Sequence, residues 1–432
     1  MAGRRAVRLA PPAVLTTAAA LLAVAALAMA APASARAASS SQRLAALLAG
    51  CEKPASGTGV ADCRRPVPVA LPAGTRVASL AAGGFAAYAV TRSGQVLAWG
   101  NNSFGELGDP AFTGQASSSP VTVQLPAGVK VASVAAGPGW ALALTRSGQV
   151  LGWGDNSCGE QGTGSAGGTV TAPAAIPLPG GARATALAAG GCFALAQVSP
   201  GKVLAWGSNG VGQLGLGHVS TTPQAPVRVH LPAGQKITRI AAGLSFGLAV
   251  TASGQVLAWG DNSSGQLGLG RTGTHRSRPA AVPLPGGTRA SVARGGLGSN
   301  GYALTGAGRA LAWGGNSEGQ LGHPGAKDPS RPVRVRVPAG STVTALRPGI
   351  GFAVALTGAG KLLSWGDNRE GQLGAGKTRA SSASVLRVAL PAGTKVTQVA
   401  AGESFGLALT AAGKVLAWGG NSSGELGQPL PQ

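Results

Sequence analysis

The chain has 432 residues, a formal net charge of +22, 72 glycines and 29 prolines, with 4% aromatic and 11% charged residues. Charged residues at under half of the usual share, about a quarter, exclude a coiled coil and a charge-driven disordered chain. The glycines recur at one long period instead of gathering in low-complexity tracts, so they mark turns between short elements, and arrays of helical repeats are excluded as well.

Residues 1–35 read as a secretory signal peptide. Arg4, Arg5 and Arg8 precede a nearly unbroken apolar run over residues 13–31, and Ala33-Ser34-Ala35 offers a small-residue cleavage site. An uncleaved anchor is the competing reading of that run, which the cleavage site disfavours. Paired arginines are common in ordinary export signals, so Arg4-Arg5 does not assign a twin-arginine route. Taking three arginines and no acids from +22 leaves +19 on the mature chain, so the charge belongs to the folded protein. No later segment is long and apolar enough to cross a bilayer. Residues 36–66 form an N-terminal extension containing Cys51 and Cys63. With Cys158 and Cys192 they make an even set, which an oxidising compartment pairs in one of three ways. Zinc is disfavoured, because no Cys-x2-Cys spacing occurs and no histidine lies near Cys51 or Cys63.

From residue 67 to residue 428 one pattern recurs. Trp-Gly stands at Trp99, Trp153, Trp206, Trp259, Trp313, Trp365 and Trp418, at spacings of 52 to 54 residues. A short apolar strand such as Gln95-Val96-Leu97-Ala98 precedes it. An Asn and a Gly-x-x-Gly turn follow, as in Asn262-Ser263-Ser264-Gly265-Gln266-Leu267-Gly268. Upstream, a Leu-Pro-x-Gly or Val-Pro-x-Gly turn begins at Leu71, Leu125, Leu178, Leu231, Leu284, Val337 and Leu390, and the next strand ends in most units in Ala-Ala-Gly. The first unit therefore predicts strands at about 67–71, 76–82, 86–91 and 95–100. Repeated seven times, such sheets close most simply into an all-β, seven-bladed β-propeller of four-stranded antiparallel blades over residues 67–428.

The Ala-Ala-Gly strand has the smallest side chains and is expected innermost, where a ring is most crowded. Each outer strand would then come from the following repeat, and residues 67–71 would complete the last blade; seven self-contained blades are the alternative. Strand direction sorts the loops onto two faces. Arg76, Lys130, Arg183, Lys236, Arg289 and Lys395 follow the Pro-x-Gly turns, and Arg92, Arg146, Lys202, Arg309, Lys361 and Lys414 adjoin the turn between the second and third strands, so these cations share one face. The opposite loops hold Glu106, Asp155, Glu160, Asp261, Glu318, Asp367, Glu370, Glu403 and Glu425, which predicts an electrically polarised ring. Cys158 and Cys192 fall on that second face in adjoining units. The expected disulfides are Cys51–Cys63 and Cys158–Cys192.

The run Gly-x-Val-Leu-Ala-Trp-Gly-x-Asn-x-x-Gly-Gln-Leu-Gly at residues 254–268 resembles the regulator-of-chromosome-condensation repeat, and the likeness extends over residues 67–428. The resemblance implies a seven-bladed propeller. Members of that family serve as nucleotide-exchange factors, chromatin binders, ubiquitin-ligase modules or secreted inhibitors, so the fold does not choose among functions. Family repeats usually place a histidine three residues after the Ala-Ala-Gly glycine. Here Trp140, Phe193, Phe246, Phe352 and Phe405 stand there, Ala86 stands there in the first repeat, and the fifth is irregular from Arg294 to Tyr302. Polar chemistry attributed to that histidine is not carried over.

No catalytic constellation breaks the repeat. Glu106, Glu160 and Glu425 occupy the slot of Gln213, Gln266, Gln320 and Gln372, and Asp155, Asp261 and Asp367 share the position after Trp-Gly. The asparagine that follows in all seven units is expected to form an Asx-turn. His218, His230, His275 and His323 are scattered over different units, whereas a catalytic or metal role needs convergence. The Asp261 loop lacks the third carboxylate and terminal glutamate of a calcium loop. No nucleophile elbow or nucleotide loop occurs. The sequence pI of 11.5 suggests nucleic acid, but export and the scarcity of aromatics available for stacking oppose it. Gene base composition can account for part of the Ala, Gly and Arg enrichment.

The expectation is a secreted, monomeric bacterial propeller without cofactor or metal. It would act outside the cell or on its wall, binding an anionic cell-envelope polymer or a protein through the twelve-cation face. A proteinaceous inhibitor of a secreted enzyme is the alternative, and a polysaccharide-active hydrolase or lyase is less favoured.

Overall fold

In all seven Trp-Gly dipeptides the glycine lies at or within two residues of the end of a strand with φ between +94° and +104°, a region that residues with a Cβ rarely enter. A Cβ on Gly260 would lie 2.5 Å from the carbonyl oxygen of Ser245, and one on Gly100 would lie 2.3 Å from that of Phe85. The tryptophan fills a core, and the glycine lets the chain leave the sheet close beside the adjacent strand. The computed structural model describes residues 64–428 apart from 113, 200, 327–329 and 377–380. The signal segment and the expected Cys51–Cys63 bond lie outside the described residues.

The described chain forms seven four-stranded antiparallel sheets, the blades of a β-propeller. Blade 1 runs Val77–Ala82, Ala86–Thr91, Val96–Gly100 and Ser117–Thr122, hydrogen-bonded in that order from hub to rim. The seven inner strands are Val77–Ala82, Val131–Ala136, Ala186–Ala189, Ile237–Ala242, Ala290–Gly295, Val343–Pro348 and Val396–Ala401, and they touch one another in a closed cycle. Small residues fill much of each inner strand and suit that crowding, with arginine at Arg239, Arg294 and Arg347 as the exception. Val67–Pro68 completes the seventh blade: Val67 lies opposite Ala417, Pro68 opposite Leu416, and Val69 N donates to Val415 O at 2.9 Å. Self-contained blades are therefore excluded, and the ring closes between the two ends of the chain.

Each blade buries both faces against its neighbours, which is why second strands such as Phe246–Thr251 and Phe405–Thr410 are apolar without alternation and wholly buried. The core is consequently a set of interblade layers. Tyr88, Val96 and Ala98 of blade 1 pack with Ala141, Leu151 and Trp153 of blade 2. Across the closure, Leu80 and Trp99 meet Phe405, Leu407 and Val415.

The repeat tryptophans reach backwards into these layers. Trp153 Nε1 donates to Glu106 O at 2.8 Å, Trp206 to Glu160 O at 2.7 Å, Trp259 to Gln213 O at 2.8 Å and Trp313 to Gln266 O at 2.8 Å. Trp365 donates to Gln320 O at 2.7 Å, Trp418 to Gln372 O at 2.9 Å, and Trp99 closes the series on Glu425 O at 2.8 Å. Each fully buried indole thus satisfies its polar atom on the preceding blade.

The irregular first and fifth repeats keep their packing by another route. Ala86 and Asn300 replace the aromatic ring, and a tyrosine stands two residues later. Tyr88 Oη donates to Glu106 O at 2.9 Å and Tyr302 Oη to Gln320 O at 2.6 Å, the carbonyls that also accept Trp153 and Trp365.

Deleting the chain through Leu71 removes the outer strand of blade 7 and the buried Val67 and Val69, each worth about 1.5–3 kcal/mol of apolar burial, and bares a sheet edge. Thermal melting and light scattering should show a lower midpoint and aggregation. Unchanged melting and solubility would contradict closure at this strand.

Candidate functional site

The face bearing the Pro-x-Gly turns is built by backbone bonds between paired turns. Arg92 N donates to Arg76 O, Arg146 N to Lys130 O and Ala252 N to Lys236 O, all at 2.8 Å, so a turn entering a blade and the turn between its second and third strands form one ledge. All twelve expected cations, Arg76, Arg92, Lys130, Arg146, Arg183, Lys202, Lys236, Arg289, Arg309, Lys361, Lys395 and Lys414, are exposed there. Among the described residues none of them lies within ion-pair distance of a carboxylate. Arg146 Nη2 donates to Arg92 O at 2.7 Å, bridging blades 1 and 2. Shallow depressions open between the turns. One of about 390 Å³ is bordered by Arg76, Arg92, Gln95 and Thr122, and one of about 580 Å³ by Arg228, His230, Gln235 and Arg278.

The opposite loops are held from inside. In each unit the repeat asparagine accepts a backbone N–H five residues on, as Leu267 N to Asn262 Oδ1 at 3.1 Å and Leu426 N to Asn421 Oδ1 at 3.0 Å. That is a loop clamp, not the expected Asx-turn. In the four units where Asn101, Asp155, Asp261 or Asp367 precedes the asparagine, that residue makes the Asx-turn, as Ser157 N donating to Asp155 Oδ1 at 2.8 Å and Ser263 N to Asp261 Oδ1 at 3.0 Å. The Glu/Gln slot caps the loop two residues upstream, whether by Cys158 N to Glu160 Oε2 or Ser264 N to Gln266 Oε1, both at 2.8 Å. Carboxylate and amide both supply the accepting oxygen, which is why either residue type serves.

The acids of this face are consequently withdrawn from solvent. Glu106, Glu160, Glu425 and Asp367 are buried, and the other expected acids are only partly exposed. Polarisation thus comes from the exposed cations far more than from an acidic surface. Burial pushes Glu106 up to about 7 and Glu425 to about 7. Burial, with Asp155 adding to it, pushes Glu160 to about 8. Cys158 and Cys192 form a disulfide, Cα atoms 5.4 Å apart, linking the third-strand loop of blade 2 to the inner turn of blade 3. Glu160 lies close enough to complete a three-residue ligand group, but the two sulfurs are bonded to each other.

None of the four histidines joins a metal-ligating group among the described residues. His218, His230 and His275 are exposed, and His323 Nδ1 pairs with Arg334 O at 2.9 Å with its other nitrogen facing Arg336. One cluster escaped the sequence reading. Arg239, Arg294 and Arg347 stand on the inner strands of blades 4, 5 and 6. The available signal was the interruption of Ala-Ala-Gly by arginine in the fifth repeat. Beside it, the fully buried Asn300 leaves its Oδ1 without a hydrogen-bond partner.

The RCC1-like domain profile matches residues 48–350, and regulator of chromosome condensation (RCC1) repeat profiles match residues 359–409 and 396–425. The chain belongs to the RCC1-like family. It is 33% identical over 355 residues to the ultraviolet-B receptor UVR8 of Arabidopsis thaliana, covering 82% of this chain and 79% of the receptor. It is 31% identical over 348 residues to the human E3 ubiquitin-protein ligase HERC2, covering 78% of this chain but 7% of that ligase. Among solved structures, yeast RCC1 (Prp20) bound to Kap60 superposes with a TM-score of 0.68 at 22% identity, covering 81% of this chain and 82% of that one. Human WBSCR16 gives 0.70 at 24% identity, covering 85% and 92%. These structural likenesses establish the fold.

Two outcomes test this RCC1-like loop face. Non-reducing peptide mapping should recover Cys158 linked to Cys192, whereas a link from Cys63 to Cys158 would contradict the arrangement. Between about pH 4.5 and pH 8 the folded chain keeps the Glu160 proton that the unfolded chain releases, so this residue lowers stability as pH rises through that window. Glu160→Gln recreates blade 4, where Gln266 Nε2 donates to Asp261 Oδ2 at 2.7 Å. Its melting temperature should match wild type near pH 4 and exceed it near pH 9. Equal melting at both would show that Glu160 carries no burial penalty.

Proposed function

We propose that this RCC1-like protein is an exported, non-catalytic interaction propeller whose Pro-x-Gly face binds an anionic cell-envelope polymer. The observation that carries this reading is the exposure, on one face, of twelve cations without carboxylate partners among the described residues. The signal-like residues 1–35 support export. Yeast RCC1 was solved with Kap60 bound, and Prp20p of Saccharomyces cerevisiae has been characterised for binding Gsp1p and histones. Those cases support macromolecular binding by the fold and leave the ligand to be read from this chain's own surface.

A linear polyanion crossing the ring would meet several of these cations in succession. Each exposed pair is worth about 0–1 kcal/mol and is screened over about 8 Å in physiological salt. Linked contacts raise avidity well above that of a single pair. A phosphate-rich wall polymer such as teichoic acid is a linear polyanion of this kind.

The triple variant Arg76→Glu, Lys236→Glu and Lys395→Glu tests the reading through retention on isolated cell envelope over a salt series. Wild type should bind at low salt and dissociate steeply as salt rises, and the variant should lose at least about tenfold in affinity, about 1.4 kcal/mol. Salt-insensitive retention, or retention unchanged by the reversals, would overturn it in favour of a specific protein partner on the loop face.

A further inference from the structure

The hub carries charge that the repeat does not require. Counted from Val77 and its equivalents, which in blade 3 is Ala184, just before the strand, the fifth position is Ala81, Ala135, Ala188, Ala241 and Ala400 in five blades but Arg294 and Arg347 in blades 5 and 6. Arg239 of blade 4 occupies the third position, where Ser79, Ser133, Ala186, Val292, Ala345 and Gln398 stand in the other blades. Third and fifth positions share one side of a strand, and the strands of blades 4, 5 and 6 are consecutive contacts around the hub. Two chemically costly replacements stand in adjoining blades where the other five carry alanine, and a third arginine stands beside them on blade 4.

Their hydrogen bonds leave most of this capacity unused. Arg294 Nη1 donates to Ala293 O at 2.9 Å, Arg347 Nη1 to Leu346 O at 3.0 Å and Arg239 Nη1 to Thr238 O at 2.8 Å. Each bond goes to the arginine's own strand, and among the described residues no carboxylate lies within ion-pair distance of any of the three. A guanidinium presents five donors in a planar fork. Burial, with Arg347 and Arg239 adding their repulsion, pushes Arg294 down to about 9, and burial lowers Arg347 as well. Arginine in proteins effectively stays charged, so the hub holds clustered positive charge with no internal counterion.

We propose that Arg239, Arg294 and Arg347 form a binding site at the hub for a small phosphate-class anion. Guanidinium forks match phosphate oxygens in paired hydrogen bonds, and a tetrahedral multi-anion can engage forks arriving from three strands, whereas one carboxylate is satisfied by one fork. The arginines at the fifth position lie near the Ala-Ala-Gly end of the inner strands, opposite the Pro-x-Gly turns. The site is therefore separate from the basic face of the proposed polymer reading and does not rest on it.

Inorganic pyrophosphate is the probe, titrated calorimetrically into the full mature chain at low ionic strength. Wild type should bind about one equivalent and gain thermal stability. Arg294→Ala with Arg347→Ala restores the residue found in the other five blades, so it should fold, melt higher than wild type without pyrophosphate, and bind the probe at least tenfold more weakly. The Arg76→Glu, Lys236→Glu, Lys395→Glu variant should retain hub binding. Absence of saturable binding to wild type, equal binding by the hub variant, or loss of binding only in the basic-face variant would overturn the proposal.

Discussion

The ring depends on one hydrogen bond repeated at every interblade boundary, from a tryptophan indole to the backbone carbonyl of the Glu/Gln slot in the preceding blade. An indole is large enough to fill the gap between sheets, but its N–H cannot be buried there unpaired without a cost of about 1–3 kcal/mol. The preceding blade provides the acceptor, and the slot side chain and repeat asparagine tie down the loop that presents it. Blade packing and loop conformation therefore stabilise one another. No blade completes this arrangement alone, since Trp99 of the first finds its acceptor on the last. Closure by Val67–Pro68 serves the same constraint from the rim.

Departures from the repeat separate into those that packing absorbs and those that it does not. Tyr88 and Tyr302 fill blades whose aromatic position is lost, and their hydroxyls meet carbonyls already organised by the ring. Glu in place of Gln keeps the loop cap and costs burial of an ionisable group, most severely for Glu160, which faces Asp155, while Gln266 faces Asp261 as a donor. Arginine at the hub is different. Nothing among the described residues neutralises Arg294 and Arg347, so these are the departures that the proposed anion would satisfy, while the tyrosines are absorbed by the core.

The same division shapes the two faces. Glu106, Asp155, Glu160, Asp261, Asp367 and Glu425 on the Trp-Gly loops are spent on holding backbone N–H groups, whereas the turn cations, even where Arg146 and Arg183 reach backbone carbonyls, remain at the surface. A rigid ring that carries them at intervals is suited to repeated weak contacts, and the hub is suited to a single compact anion. The family relationship is consistent with both uses, because RCC1-like propellers share a framework and differ in what their surfaces carry.

Strand number, blade order, outer-strand exchange and the sorting of loops onto faces were legible in the sequence, because each follows from local periodicity: glycine where φ is positive, tryptophan at a strand end, alanine where space is least. The Cys158–Cys192 pairing followed from the same face assignment. Other features needed the tertiary structure. Asn262 and its equivalents act across five residues of loop, so the Asx-turn falls to the preceding residue in the four units where that is Asn or Asp. The burial of Glu106, Glu160 and Glu425 depends on how the Trp-Gly loops fold back, and local sequence cannot distinguish a solvated acid from a loop cap. Arg239, Arg294 and Arg347 are distant along the chain, and only closure of the ring sets their strands side by side at the hub. Local backbone preference determined the blades; the placing of charge was decided by which distant strands the closed ring brings together.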